Sequence, residues 1–244
     1  MIVHVPQIGR VQCERCPIRH RAVCAKCDAD ELAHLDTIKA YRSWKAGETV
    51  VMEGEALDFA ASVVAGCATL TRSLEDGRTQ MVGLLMPSDF IGRPGRATAP
   101  YEVVAATDLT LCMFRREPFQ ALLAEMPHIR ERLLEMSLDE LDAAREWMLL
   151  LGRKTAREKV ASLLLIVLRR STLDTAGGAH AELPLSREAM AAYLGLTIET
   201  VSRQITALRK DGVITLQGNR GIECGDLFAL AGEAGEDFDG SVIS

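Results

Sequence analysis

The chain has 244 residues, 48% of them hydrophobic and 25% charged, with 19 glycines and 8 prolines. That composition supports one or two domains with real cores and excludes a collagen-like or wholly disordered chain. Twenty-eight basic residues against 34 acidic ones leave a net charge of −6, so any footprint for nucleic acid has to be local.

The charge is uneven. Arg145 to Arg170 carries seven basic residues and two acidic ones, whereas Glu223 to Asp239 carries six acidic residues and no basic one. The longest apolar run, Leu163 to Leu168, is far short of the roughly 20 residues that span a bilayer. Residues 1–10 lack the apolar stretch of an export signal. A cytoplasmic protein with no membrane partner is expected.

Four of the seven cysteines, Cys13, Cys16, Cys24 and Cys27, fall within fifteen positions, while Cys67, Cys112 and Cys224 stand alone. An odd count without an export signal argues against a disulfide scaffold. Clustered thiols suit a soft ligand set for zinc or an iron–sulfur cluster. On spacing alone, Cys13-x2-Cys16-x7-Cys24-x2-Cys27 can close around Zn2+ without outside help. Cys67 and Cys224 sit in strand-like contexts and read as small buried hydrophobes.

Asp28 and Glu31 have the capping-box spacing and predict a helix through about Lys39. From Tyr41 to Phe114, short apolar runs alternate with glycine-containing turns. Val50–Met52, Ala61–Val64, Gln80–Met86 and Val103–Ala106 are the expected strands of a barrel or double-sheet roll. Asp76-Gly77 predicts a hairpin with a type I′ turn, in which both central residues take positive φ. After Pro127, Leu134, Leu138, Leu141, Met148 and Leu151 recur at helical spacing on a helix of about 24 residues, ~36 Å long. Such a stripe either packs along the roll or pairs with its copy in a second subunit.

Residues 153–222 predict a second domain. Ala156 to Arg170 is helical, and Ser186 caps a short helix over Arg187 to Leu194. Gly195 turns the chain, and Thr197 caps a helix to about Lys210, with Gly212 at its left-handed end. Val213 to Glu223 reads as strand, turn and strand. Helix, tight turn, helix and hairpin make a winged helix-turn-helix. Beyond Leu230 the acidic chain has nothing to pack and is expected to be disordered.

Glu199, Ser202 and Arg203 share one face of the second helix, with Ile198, Val201, Ile205 and Leu208 as its buried stripe. Arg203 suits guanine or phosphate, Glu199 suits cytosine, and Ser202 suits a base edge. Thr197 orients the helix start, and Gln204 and Arg209 are placed for phosphate. The scattered histidines, with no HExxH, no G-x-S-x-G and no phosphate-loop lysine, predict no enzyme.

Residues 184–222, with Glu-Thr-Val-Ser-Arg at 199–203, resemble the CRP/FNR superfamily of bacterial transcription regulators and its FNR branch. Gly47-Glu48, Glu53-Gly54-Glu55, Gly66 and Asp89-Phe90-Ile91-Gly92 also resemble that family's roll. The resemblance implies an α+β fold: an N-terminal antiparallel β-roll of the cyclic-nucleotide-binding kind, a long dimerisation helix and a C-terminal winged helix-turn-helix. The expected divisions are a cysteine-rich segment 1–27, a roll 28–125, a dimer helix 126–151, a DNA-binding domain 152–225 and an acidic tail 226–244.

It further implies a homodimer that reads TTGAT-N4-ATCAA-like double-stranded DNA through Glu199, Ser202 and Arg203 and works with RNA polymerase. It implies an oxygen-labile [4Fe-4S] cluster on three N-terminal cysteines and Cys112. Cys13 and Cys16 match the first two ligands; the third is Cys24, or alternatively Cys27. The CRP branch instead holds a cyclic nucleotide with a glutamate after Phe-Ile-Gly and an Arg-Ser pair. Here Arg93 follows Gly92 and Pro100-Tyr101 stands near the pair's place, so a cyclic nucleotide is not expected. The competing expectation is a protein of the same fold with a structural zinc or thiol-redox site, binding DNA constitutively or by redox state.

Overall fold

The structure, a computed structural model, describes residues 12–171 and 179–236. The chain divides into two units, Met1–Ser137 and Leu138–Ser244.

In the first unit a 3-10 turn, Cys13–Arg15, opens the cysteine segment, which otherwise consists of turns. Helix α1, Ala29–Ile38, follows. The Asp28 side chain accepts from the Glu31 N–H and the Glu31 side chain accepts from the Asp28 N–H, which is the expected capping box.

Eight strands follow. They are β1 Lys39–Trp44, β2 Thr49–Val51, β3 Phe59–Ala65, β4 Ala68–Ser73, β5 Thr79–Leu85, β6 Phe90–Ile91, β7 Glu102–Ala105 and β8 Leu109–Arg115. They form two four-stranded sheets, ordered β1-β8-β3-β6 and β2-β7-β4-β5, antiparallel throughout. Trp44, Ala61, Val63, Leu109 and Leu111 from one sheet meet Val51, Ala68, Leu85, Val103 and Ala105 from the other in a shared core. This is the expected roll.

Because β8 is buried on both faces, it lacks the alternation that marks a half-exposed strand. Its odd-numbered Leu109 and Leu111 enter the inter-sheet core, while Cys112 and Phe114 point to the opposite face. Gly66 is fixed by space as well as by φ of +79°: a Cβ there would lie 1.9 Å from the Asp108 carbonyl oxygen.

The Asp76-Gly77 hairpin forms between β4 and β5, but its turn is not type I′. Gly77 alone takes positive φ there. The Gly77 N–H donates to the Leu74 carbonyl and the Leu74 N–H to the Arg78 carbonyl. That is a three-residue loop closed by one left-handed glycine, which spares Asp76 the αL cost.

Helix α2, Arg116–Glu125, leads to α3, Pro127–Arg153, a helix of 27 residues. Ile129, Leu133 and Met136 on one face of α3 pack in the core that holds the cysteine segment.

In the second unit, Trp147 of α3 stacks on Tyr193 with ring centroids 4.1 Å apart, and Leu150 is buried. Helix α4 spans Ala156–Ser171, and strand β9, Ala179–Glu182, lies outside the expected elements because its alternation rests on two alanines, too small and too few to mark a strand. Helices α5, Arg187–Leu194, and α6, Ile198–Lys210, are capped as expected by Ser186 and Thr197, with Gly195 in the left-handed region between them. Strands β10, Thr215–Gln217, and β11, Gly221–Cys224, complete the wing, and β9 adds to its far edge in the order β10-β11-β9.

The expected disorder past Leu230 is corrected. Asp226 caps a further helix, α7 Leu227–Glu233, and Leu230, Ala231 and Ala234 are fully buried against the domain, with α7 packed on α4. The acidic residues find the basic ones. Arg157 pairs with Glu233 and Asp211, and Lys154 and Arg169 both reach Glu236. Small apolar residues and opposite charge from another helix supply the packing that the tail lacks by itself. Residues 237–244 lie outside the described residues.

Candidate functional site

The sheet register builds the first site. Cys112 on β8 lies between Tyr41 on β1 and Ser62 on β3, all three on the face turned away from the inter-sheet core. The cysteine segment covers that face. Cys13, Cys16, Cys24 and Cys112 line one small cavity together with Tyr41, Ser62, Ile18, Ala22, Val23, Leu35 and Phe114. Three clustered thiols and a fourth, 88 residues beyond Cys24, therefore converge among apolar walls.

Their electrostatics follow from that closeness. Burial pushes the Cys13 thiol up to about 11, against the pull of Lys39. Burial raises Cys24, with Cys16 adding to it. Burial also raises Cys112, and there Cys16, Cys13 and Cys24 all contribute.

Two neighbours escaped the sequence reading. Lys39 is nearly buried and donates to the Cys13 sulfur at 3.3 Å, while pairing with Asp36. It brings a positive charge to a set of thiols. Ser62 is 2% exposed, and its hydroxyl has no hydrogen-bond partner among the described residues. Neither was legible, since a Lys at a helix–strand junction and a Ser in a strand acquire meaning only through register and burial.

Cys27 is left out of this lining. Burial, then Cys24 and Glu31, push its thiol up to about 12, and its sulfur lies within 4.8 Å of ligand atoms of Glu31 and His128. Cys67 and Cys224 are buried, on the roll and on the wing, away from the four-thiol cavity. The cysteine segment also grips the start of α3. Arg132 donates to the Arg21 carbonyl at 2.9 Å, and Lys26 pairs with Glu135.

The second site is the outer face of α6. The Thr197 hydroxyl accepts from the Thr200 N–H at 3.3 Å. The Glu199 carboxyl is held below the usual carboxylate range by its own N–H and by Thr197. Ser202 and Arg203 are exposed and line one shallow concavity with Thr206, Ala207 and Lys210. Thr206 and Lys210 extend the expected reading face by two turns; the i, i+3, i+4 periodicity from Ser202 could have found them.

One detail of that helix is corrected. Val201, Ile205 and Leu208 are buried, but Ile198 is 43% exposed, because the first residue of a helix has no preceding turn to cover it. Gln204 is half-buried, about 140° around the helix from Glu199, and Arg209 is exposed.

The α3 stripe is open. Leu134, Leu138, Leu141 and Met148 are 59, 52, 45 and 74% exposed. Leu149 joins them on that side, while Leu151 is only half-exposed, about 100° around the helix from Leu134.

Comparison with known proteins agrees with this architecture. Residues 41–126 match the cyclic nucleotide-binding domain and residues 158–232 the Crp-like helix-turn-helix domain. The chain is 60% identical, over 95% of its own length and 95% of the other's, to the transcriptional activator protein FnrL of Cereibacter sphaeroides. It belongs to the CRP/FNR family. The nitrogen fixation regulation protein FixK of Bradyrhizobium diazoefficiens is 38% identical over 84% of this chain and 86% of that one. The solved structure of FixK2 from Bradyrhizobium japonicum superposes with a TM-score of 0.72 at 32% identity, covering 80% of this chain and 96% of the other. The expected fold is thus the fold of a CRP/FNR regulator, and the chain is a DNA-binding transcription regulator of the FNR/FixK type. No helix among the described residues is long and apolar enough to cross a membrane.

Proposed function

We propose that this CRP/FNR regulator is an oxygen-responsive activator that binds DNA as a homodimer while Cys13, Cys16, Cys24 and Cys112 hold a [4Fe-4S] cluster. The observation that carries the reading is the convergence of those four thiols in one cavity. Three features fit the cluster: an all-thiolate donor set, the Lys39 ammonium beside it to offset its negative charge, and the buried, unpartnered Ser62 hydroxyl. An unsatisfied buried hydroxyl costs about 1–3 kcal/mol, and a sulfur acceptor in the cavity would relieve it. When bound, the cluster supplies an oxygen-labile crosslink among the four sulfurs. A zinc knuckle on the first four cysteines alone fits less well, because Cys27 faces Glu31 and His128 instead.

The chain's own contacts supply the route from that site to DNA. Cys13, Cys16 and Cys24 tether a segment whose Arg21 carbonyl and Lys26 hold Arg132 and Glu135 on α3. Release of the thiolates frees the segment and loosens its hold on the first turns of α3, which carry Leu134 on the open side. The stripe of Leu134, Leu138, Leu141 and Met148 is the proposed seam between two copies, and its weakening separates the half-sites. Glu199, Ser202 and Arg203 then read a TTGAT-N4-ATCAA-like palindrome only as a pair, with Thr197 orienting the helix. Arg209 and Lys210 meet phosphate. The activator names of the relatives support RNA polymerase as a partner. Arg93 and Tyr101, where the nucleotide-binding branch has its glutamate and Arg-Ser pair, speak against a cyclic nucleotide.

The test is iron and acid-labile sulfide in protein isolated without oxygen. About four of each per chain are expected, with near-complete loss in Cys112→Ala and retention in Cys27→Ala. Wild-type protein free of sulfide, or a Cys112→Ala protein that keeps its iron, contradicts the reading.

A further inference from the structure

The thiol excluded from the four-cysteine cavity has its own company. Cys27 immediately precedes the Asp28 cap of α1, Glu31 lies in the first turn of α1, and His128 lies in the first turn of α3. Between them they bring one sulfur, one carboxylate oxygen and one imidazole nitrogen to within 4.8 Å of one another. Cys27 is buried and the other two are half-buried. The His128 Nε2 is 3.0 Å from Glu31 Oε2, yet that nitrogen is buried and makes no hydrogen bond of acceptable angle among the described residues. The ring is held against the carboxylate without the geometry that would satisfy it.

One soft, one borderline and one hard donor on three sides make the ligand set of a zinc-class dication; Mg2+ and Ca2+ favour oxygen alone. Bonds of about 2.0–2.3 Å put the ligand atoms of a tetrahedral ion roughly 3.3–3.8 Å apart. Side chains already within 4.8 Å reach that spacing by small rotations. We propose that Cys27, Glu31 and His128 bind one divalent cation of the zinc class per chain, with water as the fourth ligand, separate from the four-thiol cavity. On binding, Cys27 releases its proton to solvent, and the thiolate and carboxylate together match the charge of the ion. Glu31 keeps its hold on the Asp28 N–H through Oε2, leaving Oε1 for the metal.

The consequence is positional. The ion would pin the end of the cysteine segment to the start of α3, three residues beyond Cys24. That anchor would hold Cys27 in place while residues 13–24 come free of the cavity and their contacts with α3 loosen. The proposal rests on Cys24, not Cys27, completing the four-thiol set.

The experiment measures zinc and iron in the same anaerobically isolated full-length protein, after equilibration with buffered Zn2+. One zinc per chain beyond that of the variants is expected in wild type. His128→Ala and Cys27→Ser should each lose that zinc and keep their iron. Should His128→Ala not fold, Glu31→Gln preserves the capping hydrogen bond and should weaken zinc binding at least tenfold. Zinc content equal in wild type and variants overturns the proposal, as does loss of iron in Cys27→Ser. Zinc that depends on His128 in a protein without iron contradicts only the cluster reading; iron without such zinc contradicts only this one.

Discussion

A Leu141→Glu substitution tests the seam of α3 where the structure leaves it open. Leu141 is 45% exposed and shares its side of the helix with Leu134, Leu138 and Met148. Fully burying a leucine stabilises by about 1.5–3 kcal/mol, so covering the exposed half is worth about 1 kcal/mol per copy. Two copies lose roughly 2 kcal/mol with the apolar contact, near 30-fold in dimer dissociation. Each glutamate adds a desolvation cost at the seam and repels its mate, which carries the expected weakening past 100-fold. The isolated fold should barely notice, because surface changes away from special features stay within about ±0.5 kcal/mol. The assay is sedimentation equilibrium of cluster-loaded protein, beside thermal melting and a Leu141→Met control that should remain dimeric. An unchanged dimer mass for Leu141→Glu would refute the assignment of this stripe to the dimer seam.

Three further outcomes follow from named contacts. Arg203→Ala should cost about 1–3 kcal/mol of discrimination per half-site, whereas Lys210→Ala should weaken all sequences alike and lower the salt slope by about one; equal losses on cognate and G·C-substituted sites for Arg203→Ala would make it a phosphate anchor. Ser62→Ala should leave the cluster-free protein as stable or more stable, while lowering the cluster's reduction potential and speeding its loss in air; equal destabilisation of both forms would show a purely structural hydroxyl. Arg157 holds the Glu233 carboxyl below the usual carboxylate range, so its contribution is present above the ordinary glutamate pKa and fades as pH falls through the lowered value. Glu233→Gln should therefore cost up to about 1 kcal/mol at pH 7 and progressively less as the pH falls below the ordinary glutamate range, read from urea midpoints; a gap that does not shrink in acid would contradict the ion pair.

Local chemistry was legible and long-range placement was not. The Asp28–Glu31 box, the Ser186 and Thr197 caps and the left-handed Gly195 are read within a few residues, and all form. With them came the helix-turn-helix and its reading face. By contrast, the neighbours of Cys112 are set by pairing with β1 and β3, and no local pattern in β8 discloses that register. Lys39 gains its role from a sulfur 26 positions earlier. The tail failed for a related reason: α7 is only seven residues long, and its Leu230, Ala231 and Glu233 gain their packing and charge partners from α4, far away in sequence. Ile198 shows the same limit at one residue, where angular position predicted burial and the helix start denied it.

The central claim is that four converging thiols hold a group whose loss is felt at the DNA. The most direct measurement follows iron content, sedimentation mass and operator affinity in one anaerobic sample before and after exposure to air. The account predicts that iron falls, the dimer separates and affinity for the palindrome drops together, with Cys112→Ala fixed in the air-treated state throughout. Full operator affinity and an unchanged dimer mass in protein that has lost its iron would contradict it.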